Sequence, residues 1–192
     1  MQKLRMEMEA FFGALYENDP KVLVHGEGLL NVPAALVGEA PGEQETLQRR
    51  PFVGKAGKNL NEFLESSGLR RDQLYVTNAV KFRPTKLSGA GRIVNRPPTT
   101  EEIRLFLPWL KRELAIVQPR CVVTLGNVPL GAVTGERLTI GDVHGSFLQS
   151  TDGYIVYPMY HPASMIYNPS LREDCAKDME RLANWLKTQK LT

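Results

Sequence analysis

The first stretch with residue types suited to chemistry is Gly38-Glu39-Ala40-Pro41-Gly42, which Glu43 and Glu45 follow closely. Carboxylates placed like this can act as a general base or offset a cation in a transition state. The glycines allow backbone N–H groups to approach a ligand closely. No Gly-Lys-Ser/Thr sequence follows, so the stretch is not a phosphate-binding P-loop. Taken alone, the pattern favours a solvated acidic turn.

Two further residues in the first half of the chain are suited to binding a flat, polar ligand. Phe52 lies in a polar loop, where an aromatic ring either plugs the core or stacks on a ligand. Asn78 ends an apolar run, and a buried amide there is costly unless it is paired. Its adjacent donor and acceptor match O4 and N3–H of uracil, whereas cytosine presents the opposite pattern. A turn-capping Asn is the alternative.

The third stretch is Tyr160-His161-Pro162-Ala163, at the end of another apolar run. Its histidine stands directly after this run and before a turn fixed by proline, whereas we expect His25 and His144 to be structural. Beyond the turn, Met165 and Ile166 could insert into a base stack as an apolar wedge. They could equally begin the core face of the next helix.

The hydrophobic pattern predicts elements that would bring these stretches together. Short apolar runs predict strands at 34–37, 74–80, 121–126 and 154–159. Helical spacing and capping residues predict helices at 3–16, 56–67, 99–117 and 170–188. This alternation favours one domain over residues 1–192, an α/β/α three-layer sandwich with a central, mostly parallel four-stranded sheet. Ligands of such folds bind at the carboxyl ends of the strands, where the three stretches fall.

Composition narrows the possible functions only slightly. A net charge of +3 is compatible with nucleic acid binding but does not establish it. With only Cys121 and Cys175, the chain cannot build a four-thiolate zinc or iron–sulfur site, and two free buried thiols are favoured over one disulfide. There is no secretory signal or membrane-spanning run, so we expect a cytoplasmic protein. No Gly-x-Gly-x-x-Gly turn follows the first strand, which argues against a Rossmann-type nucleotide enzyme.

Taken together, these blocks resemble the uracil-DNA glycosylase superfamily, most closely its family 4. That branch carries GE[AG]PGxxE, RPFVGxAG, TNxxKCRPP with a following NR, and HPA. The corresponding blocks occur here in the same order, at 38–45, 50–57, 77–84 with 95–98, and 161–163. Each block alone is a weak signal, but four in order across residues 37–169 are specific.

The resemblance implies an enzyme that hydrolyses the N-glycosidic bond of uracil, or of a related deaminated base, in DNA. This is the first step of base excision repair, and we expect a monomer to perform it. The residues that it implies for catalysis are Glu39, Glu45 and His161. Those that it implies for uracil binding are Gly38, Ala40, Gly42, Phe52 and Asn78. Those that it implies for DNA binding are Lys81, Arg83, Arg92, Arg96, Ser164 and Met165.

This chain departs from the family pattern in two places. Family 4 holds a [4Fe–4S] cluster on four cysteines, and ungapped matching places Phe11, Ala14, Phe82 and Leu105 at those positions. All four are apolar, so we expect hydrophobic packing in place of the cluster and no metal or other cofactor. The second departure is an insertion, Thr85–Val94, within the DNA-facing loop. Both departures motivate an alternative, a relative that binds DNA or a nucleobase with lost or altered glycosylase activity.

Overall fold

A computed structural model describes residues 1–19 and 21–189, in which strands and helices alternate along most of the chain. The strands are β1 (Glu27–Gly28), β2 (Ala34–Gly38), β3 (Tyr75–Asn78), β4 (Thr85–Leu87), β5 (Ile93–Asn95), β6 (Cys121–Leu125), β7 (Leu148–Gln149) and β8 (Ile155–Met159). The helices are α1 (Gln2–Leu15), α2 (Glu43–Gln48), α3 (Lys55–Ser66), α4 (Thr100–Val117), α5 (Asn127–Thr134), α6 (Ile140–Val143), α7 (Ser164–Tyr167) and α8 (Leu171–Thr188), with a 3-10 turn at Arg71–Gln73.

The main sheet has the strand order β1-β3-β2-β6-β8-β7. Its four central strands are parallel, which confirms the predicted mostly parallel sheet. The two-residue strands β1 and β7 extend it with antiparallel pairing at the edges. Strands β4 and β5 form a separate antiparallel hairpin within the predicted insertion. The sequence had indicated only a loop there.

Helices cover both faces of the sheet, which confirms the three-layer α/β/α sandwich. On one face, the core side chains of α3 and α8 pack against the sheet. On the other face, those of α4 and α5 pack against it. Every residue of β2 and β6 is buried, as expected for parallel strands covered on both sides.

Helix α4 begins and ends where its sequence signals predict. At its start, Thr99 Oγ1 accepts a hydrogen bond from the Glu102 backbone N–H at 3.2 Å. In return, the Thr99 N–H donates to Glu102 Oε2 at 2.7 Å, which completes a capping box. At its end, Gln118 has a left-handed φ of 49°, and Pro119 prevents a further turn.

An aromatic cluster, defined by Phe11, Phe12, Tyr16, Phe82 and Phe106, joins α1, α4 and the segment after β3. The rings of Phe82 and Phe106 lie 5.7 Å apart, and those of Phe12 and Phe82 lie 6.2 Å apart. Three of the four positions matched to cluster cysteines pack here, namely Phe11, Phe82 and Leu105.

The expectation for the fourth matched position is wrong, because Ala14 is exposed. Phe12, Tyr16 and Phe106 fill the space instead. These side chains offer no thiolate, so this region does not fit an iron–sulfur cluster.

Both cysteines are buried and free, as the sequence favoured. Burial raises the pKa of the Cys121 thiol to about 12 and that of Cys175 to about 11. Across residues 1–19 and 21–189, no helix is both long and apolar enough to span a membrane.

Candidate active site

The candidate site lies at the carboxyl ends of β2 and β3, where Gly38 and Asn78 are paired in register. A Cβ atom added to Gly38 would lie 2.4 Å from Asn78 Oδ1 and 2.5 Å from Phe52 Cζ. Only glycine at position 38 leaves room for the Asn78 and Phe52 side chains to lie this close to the backbone. Three of the residues predicted to bind uracil are therefore neighbours in the fold.

The loop that carries Phe52 is held in an uncommon conformation. Phe52 has a φ of 52°, in the left-handed region that bulky side chains rarely adopt. A Cβ atom on Gly57 would lie 2.0 Å from the Phe52 carbonyl oxygen, so α3 can approach the loop only with glycine there. The Arg71 guanidinium donates to the Phe52 carbonyl at 3.0 Å and to the Pro51 carbonyl at 2.6 Å. These contacts fix the loop backbone, and the Phe52 ring, 5% exposed, packs in the core beneath the loop with its Cζ beside Gly38.

Asn78 is only 4% exposed. Its side-chain amide nevertheless makes no hydrogen bond within residues 1–19 and 21–189. The side chain is nearly buried, whereas its amide atoms keep some contact with solvent and have no protein partner. It is therefore available to a ligand that presents one acceptor and one donor.

The His161 side chain is neutral near pH 7, and a hydrogen bond to one ring nitrogen shows which nitrogen carries the hydrogen. The Ala163 backbone N–H donates to Nδ1 at 3.1 Å, so in the neutral ring Nε2 carries the hydrogen. Burial lowers the pKa of His161 to about 4, against an opposing influence from the charge of Glu45. The ring centroid lies 5.9 Å from that of Phe52. The imidazole can therefore donate a hydrogen bond from Nε2 beside the aromatic ring.

The turn that carries His161 is anchored on both sides. Asn59 of α3 donates from Nδ2 to the Pro162 carbonyl at 3.0 Å. The Ser164 N–H donates to the His161 carbonyl at 2.8 Å. On the β6 side, a Cβ atom on Gly126 would lie 3.4 Å from the His161 Cβ. The histidine is therefore held by three different elements.

The two predicted catalytic carboxylates lie in different surroundings. Glu45 Oε1 accepts from the N–H groups of Val53 at 2.9 Å and Gly54 at 2.7 Å, and Oε2 accepts from that of Gly42 at 3.2 Å. This side chain ties two loops together, and it occupies the Gly42 N–H that was predicted to face uracil. Glu39 is half-buried, and burial raises its pKa.

A cavity of about 230 Å³ opens between the first and third sequence stretches. Its wall includes Glu39, Ala40, Pro41, Pro84, Asn95, Arg96 and His161. Ala40 also packs against the aromatic cluster. The cavity therefore joins the acidic loop, the histidine and the base of the β4–β5 hairpin.

The prediction that Lys81 contacts DNA phosphates is wrong, because its side chain is fully buried. Its Nζ lies 2.5 Å from Glu113 Oε2 and 2.6 Å from Thr77 Oγ1. Burial of a lysine requires such a paired carboxylate. The position of Lys81 within the family block at 77–84 gave no indication that its side chain turns inward.

The three predicted arginines lie on the cavity side of the molecule. Arg83 Nε donates to Asn95 Oδ1 at 2.7 Å, and Arg96 donates to both Glu102 oxygens at 2.6 and 2.7 Å. Both remain partly exposed, and Arg92 is exposed. These side chains surround the hairpin that follows β3.

Met165 does not form the predicted apolar wedge, because it is 7% exposed and belongs to the core. Its neighbours Ile166 and Tyr167 are 49% and 87% exposed. The half-buried Ser164 begins the short helix that carries them. The apolar surface beside the histidine turn is thus displaced by one residue from the prediction.

Sequence reasoning missed Glu113, the partner of Lys81. The signal that could have found it is its position among Leu110, Leu114 and Val117, which form the apolar stripe of α4. A carboxylate on such a stripe requires a buried cation or donor. Asn59, Gly57 and Arg71 were also missed, and only Gly57 stands within a family block.

Comparison with known proteins adds an independent observation. The family "Uracil DNA glycosylase superfamily" matches residues 25–187. A Type-4 uracil-DNA glycosylase of Sulfurisphaera tokodaii is 39% identical over 167 residues, which cover 83% of this chain and 72% of that protein. One from Thermotoga maritima is 36% identical over 178 residues, 91% of this chain and 88% of that protein. A DNA polymerase of Bacillus phage SP01 is 30% identical over 180 residues, 93% of this chain and 18% of the polymerase.

Proposed function

The chain belongs to the uracil-DNA glycosylase superfamily, and we propose that it hydrolyses the N-glycosidic bond of uracil, or of a related deaminated base, in DNA. The observation that carries this proposal is that the neutral His161 and the unpartnered amide of Asn78 both lie beside the ring of Phe52. The first can stabilise a leaving base, and the second can identify it.

Recognition begins when the target nucleotide leaves the base stack and enters the site. Its flat ring stacks on Phe52, which the strained loop holds in place. The Asn78 amide donates to O4 and accepts from N3–H. Cytosine would present a donor to the amide donor and leave nearly buried polar groups unpaired, which costs binding energy on both sides.

Bond cleavage leaves a cationic sugar and a negatively charged uracil. His161 donates from Nε2 to the uracil O2 as charge develops there, which is an electrostatic role suited to a neutral imidazole. Glu39 positions the attacking water, since its carboxylate lines the cavity and burial makes it a stronger base. Glu45 contributes indirectly, by holding the loops that present the other groups.

DNA contacts follow from the charged and apolar groups around the cavity. Arg83, Arg92 and Arg96 contact backbone phosphates, an attraction that is largely independent of sequence. Beside the histidine turn, Ile166 and Tyr167 present apolar surface to the duplex, with Ser164 at their base. We further propose that the chain acts as a monomer in the cytoplasm, which rests on its sequence features alone.

The test is release of base from labelled oligonucleotides that contain U:G, U:A, hypoxanthine or uracil in a single strand. We expect abasic sites that alkali cleaves in the uracil substrates. His161→Ala should lower the single-turnover rate by about 10²–10³-fold, because one preorganised donor to the leaving oxygen is lost. The DNA dissociation constant should change little.

The matched control is His25→Ala, since His25 pairs with Glu9 rather than lining the cavity. It should retain the full rate. DNA binding without release of any of these bases would contradict the proposal and favour the alternative, a relative that has kept the fold and lost the activity. A His161→Ala variant with an unchanged rate would remove this histidine from the mechanism.

A further inference from the structure

The β4–β5 hairpin exposes a pair of large aliphatic side chains. Leu87 and Ile93 are paired directly across the two strands, so they share one face of the hairpin. Their exposed fractions are 70% and 65%. A two-stranded hairpin has no core of its own, and contiguous apolar surface at its tip is typical of an interaction site.

The charged residues of the segment that forms the hairpin are all basic. Residues 83–98 contain four charged side chains, all of them basic: Arg83, Lys86, Arg92 and Arg96. Lys86 and Arg92 flank the apolar pair and are exposed. An apolar pair between two cations fits a DNA duplex, whose phosphates attract the cations and whose stacked bases can accept the apolar side chains.

The hairpin is continuous with the candidate active site. Its base residues, Pro84, Asn95 and Arg96, form part of the wall of the 230 Å³ cavity. Ile93 and Arg96 also line a second cleft, of about 390 Å³, together with Asp19, Lys21 and Arg83. DNA bound at the cavity would therefore lie against the hairpin, whereas a protein partner would compete with it for this position.

The hairpin is also preorganised. Arg96 Nε donates to the Thr85 carbonyl at 3.1 Å, and the same side chain is paired with Glu102. At the tip, the Ser88 N–H donates to the Arg92 carbonyl at 2.8 Å. A segment already held in shape loses little conformational entropy when it binds.

We propose that this hairpin is a DNA wedge, which inserts the Leu87–Ile93 pair into the base stack of a duplex beside the flipped nucleotide. The location of that nucleotide rests on the proposed function. Lys86 and Arg92 contact the phosphates on either side of the inserted pair. With Ile166 and Tyr167 near the histidine turn, the cavity then has apolar projections on two sides.

The test measures DNA binding by fluorescence anisotropy, with one uracil-containing sequence as a duplex and as a single strand. Leu87→Ala/Ile93→Ala should weaken duplex binding by about tenfold, because two aliphatic side chains lose their burial between bases. Single-strand binding should change by less than about twofold, since there is no stack to open. The dependence of duplex affinity on salt should stay unchanged.

Two further variants make the result specific. Leu87→Thr/Ile93→Thr places β-branched side chains suited to a strand at both positions and should give the same duplex loss, which separates lost insertion from an unfolded hairpin. Lys86→Gln/Arg92→Gln should instead reduce the slope of log affinity against log salt, by about one for each lost phosphate contact.

The matched control is Leu29→Ala/Leu30→Ala, since these residues are 59% and 45% exposed. They follow Gly28, which pairs with Tyr75 at the start of β3, away from Asn78. This variant should bind both DNA forms like the parent chain.

Unchanged duplex affinity in the Leu87/Ile93 variants would overturn the wedge, as would an equal loss on duplex and single strand. A parent chain that binds no duplex would also overturn it. A parent chain that releases no base but shows the duplex-specific loss would contradict only the glycosylase proposal, because the binding measurement requires no chemistry.

Discussion

The two faces of strand β3 carry polar groups in opposite states. On the α4 face, Glu113 accepts hydrogen bonds from the Tyr75 hydroxyl at 2.8 Å and from Thr77 Oγ1 at 3.0 Å, and it pairs with Lys81. On the other face, Asn78 is nearly as buried and has no partner in the described part of the chain. A single strand thus separates a satisfied polar network from one side-chain amide without a protein partner.

The difference shows how burial serves two purposes. In the Glu113 network each polar group compensates for the desolvation of another, and burial together with the carboxylate raises the pKa of Tyr75. That network holds the end of β3 against α4. At Asn78 the amide has no protein partner, and a ligand that excludes solvent from it must satisfy its donor and acceptor, so the same burial becomes a means of discrimination.

The largest effect is expected on the satisfied face. Glu113→Ala should lower the free energy of unfolding by about 3–5 kcal/mol, because it leaves the Lys81 ammonium buried without its counter-charge. Urea denaturation measures the change. The double variant Lys81→Met/Glu113→Leu should recover most of the loss, since no charge then remains buried. A loss below about 1 kcal/mol in Glu113→Ala would contradict a dry, coupled pair.

On the unsatisfied face, the effect should be on activity rather than stability. Asn78→Ala should lower the single-turnover rate on uracil DNA by about 10²–10³-fold, comparable to removal of one preorganised donor. The free energy of unfolding should change by less than about 1 kcal/mol, because no protein hydrogen bond is broken. If instead stability falls and the rate holds, the amide is structural, and the contrast between the two faces disappears.

The smallest effect is a pH dependence from His161. Its folded pKa of about 4 lies below the ordinary value of 6.5, so between these pH values the unfolded chain takes up a proton that the folded chain does not. The free energy of unfolding should therefore decrease as pH falls through this window and be independent of this group above it. The slope should be a fraction of the about 1.4 kcal/mol per pH unit that one fully buried group gives.

This contribution is measured as the difference between the parent chain and His161→Gln in urea denaturation at a series of pH values. The variant should lose the added slope between about pH 6.5 and 4. Identical pH profiles for the two chains would show that the imidazole titrates normally. In that case His161 would not be the neutral hydrogen-bond donor that the proposed mechanism requires.

Much of the fold was predictable because the central elements are long and periodic. The fully apolar β2 and β6 and the capped helix α4 have boundaries close to those indicated by the sequence. The Gly38 and His161 blocks were also placed at one edge, because parallel strands all end there. Four central parallel strands therefore followed from local patterns alone.

What could not be predicted depends on the direction of single side chains. The segment after β3 is short, and nothing in its pattern indicates that Lys81 turns inward while Arg83 two positions later turns outward. Met165 and Ile166 differ in the same way, since a four-residue helix is too short to show a periodicity. The β4–β5 hairpin escaped notice because each strand has three residues, although the Gly89-Ala90-Gly91 turn was a signal.

The two buried thiols have a practical consequence for such experiments. With their pKa values at about 12 and about 11, Cys121 and Cys175 are almost wholly protonated near neutral pH, and the thiolate is the reactive form. Maleimide reagents should therefore leave the native chain unlabelled while it is folded. A single cysteine introduced at Gly89 of the exposed hairpin turn can then carry a fluorophore without replacement of either native residue. Because the native cysteines stay unlabelled, the fluorescence signal reports only on the hairpin when the chain binds DNA.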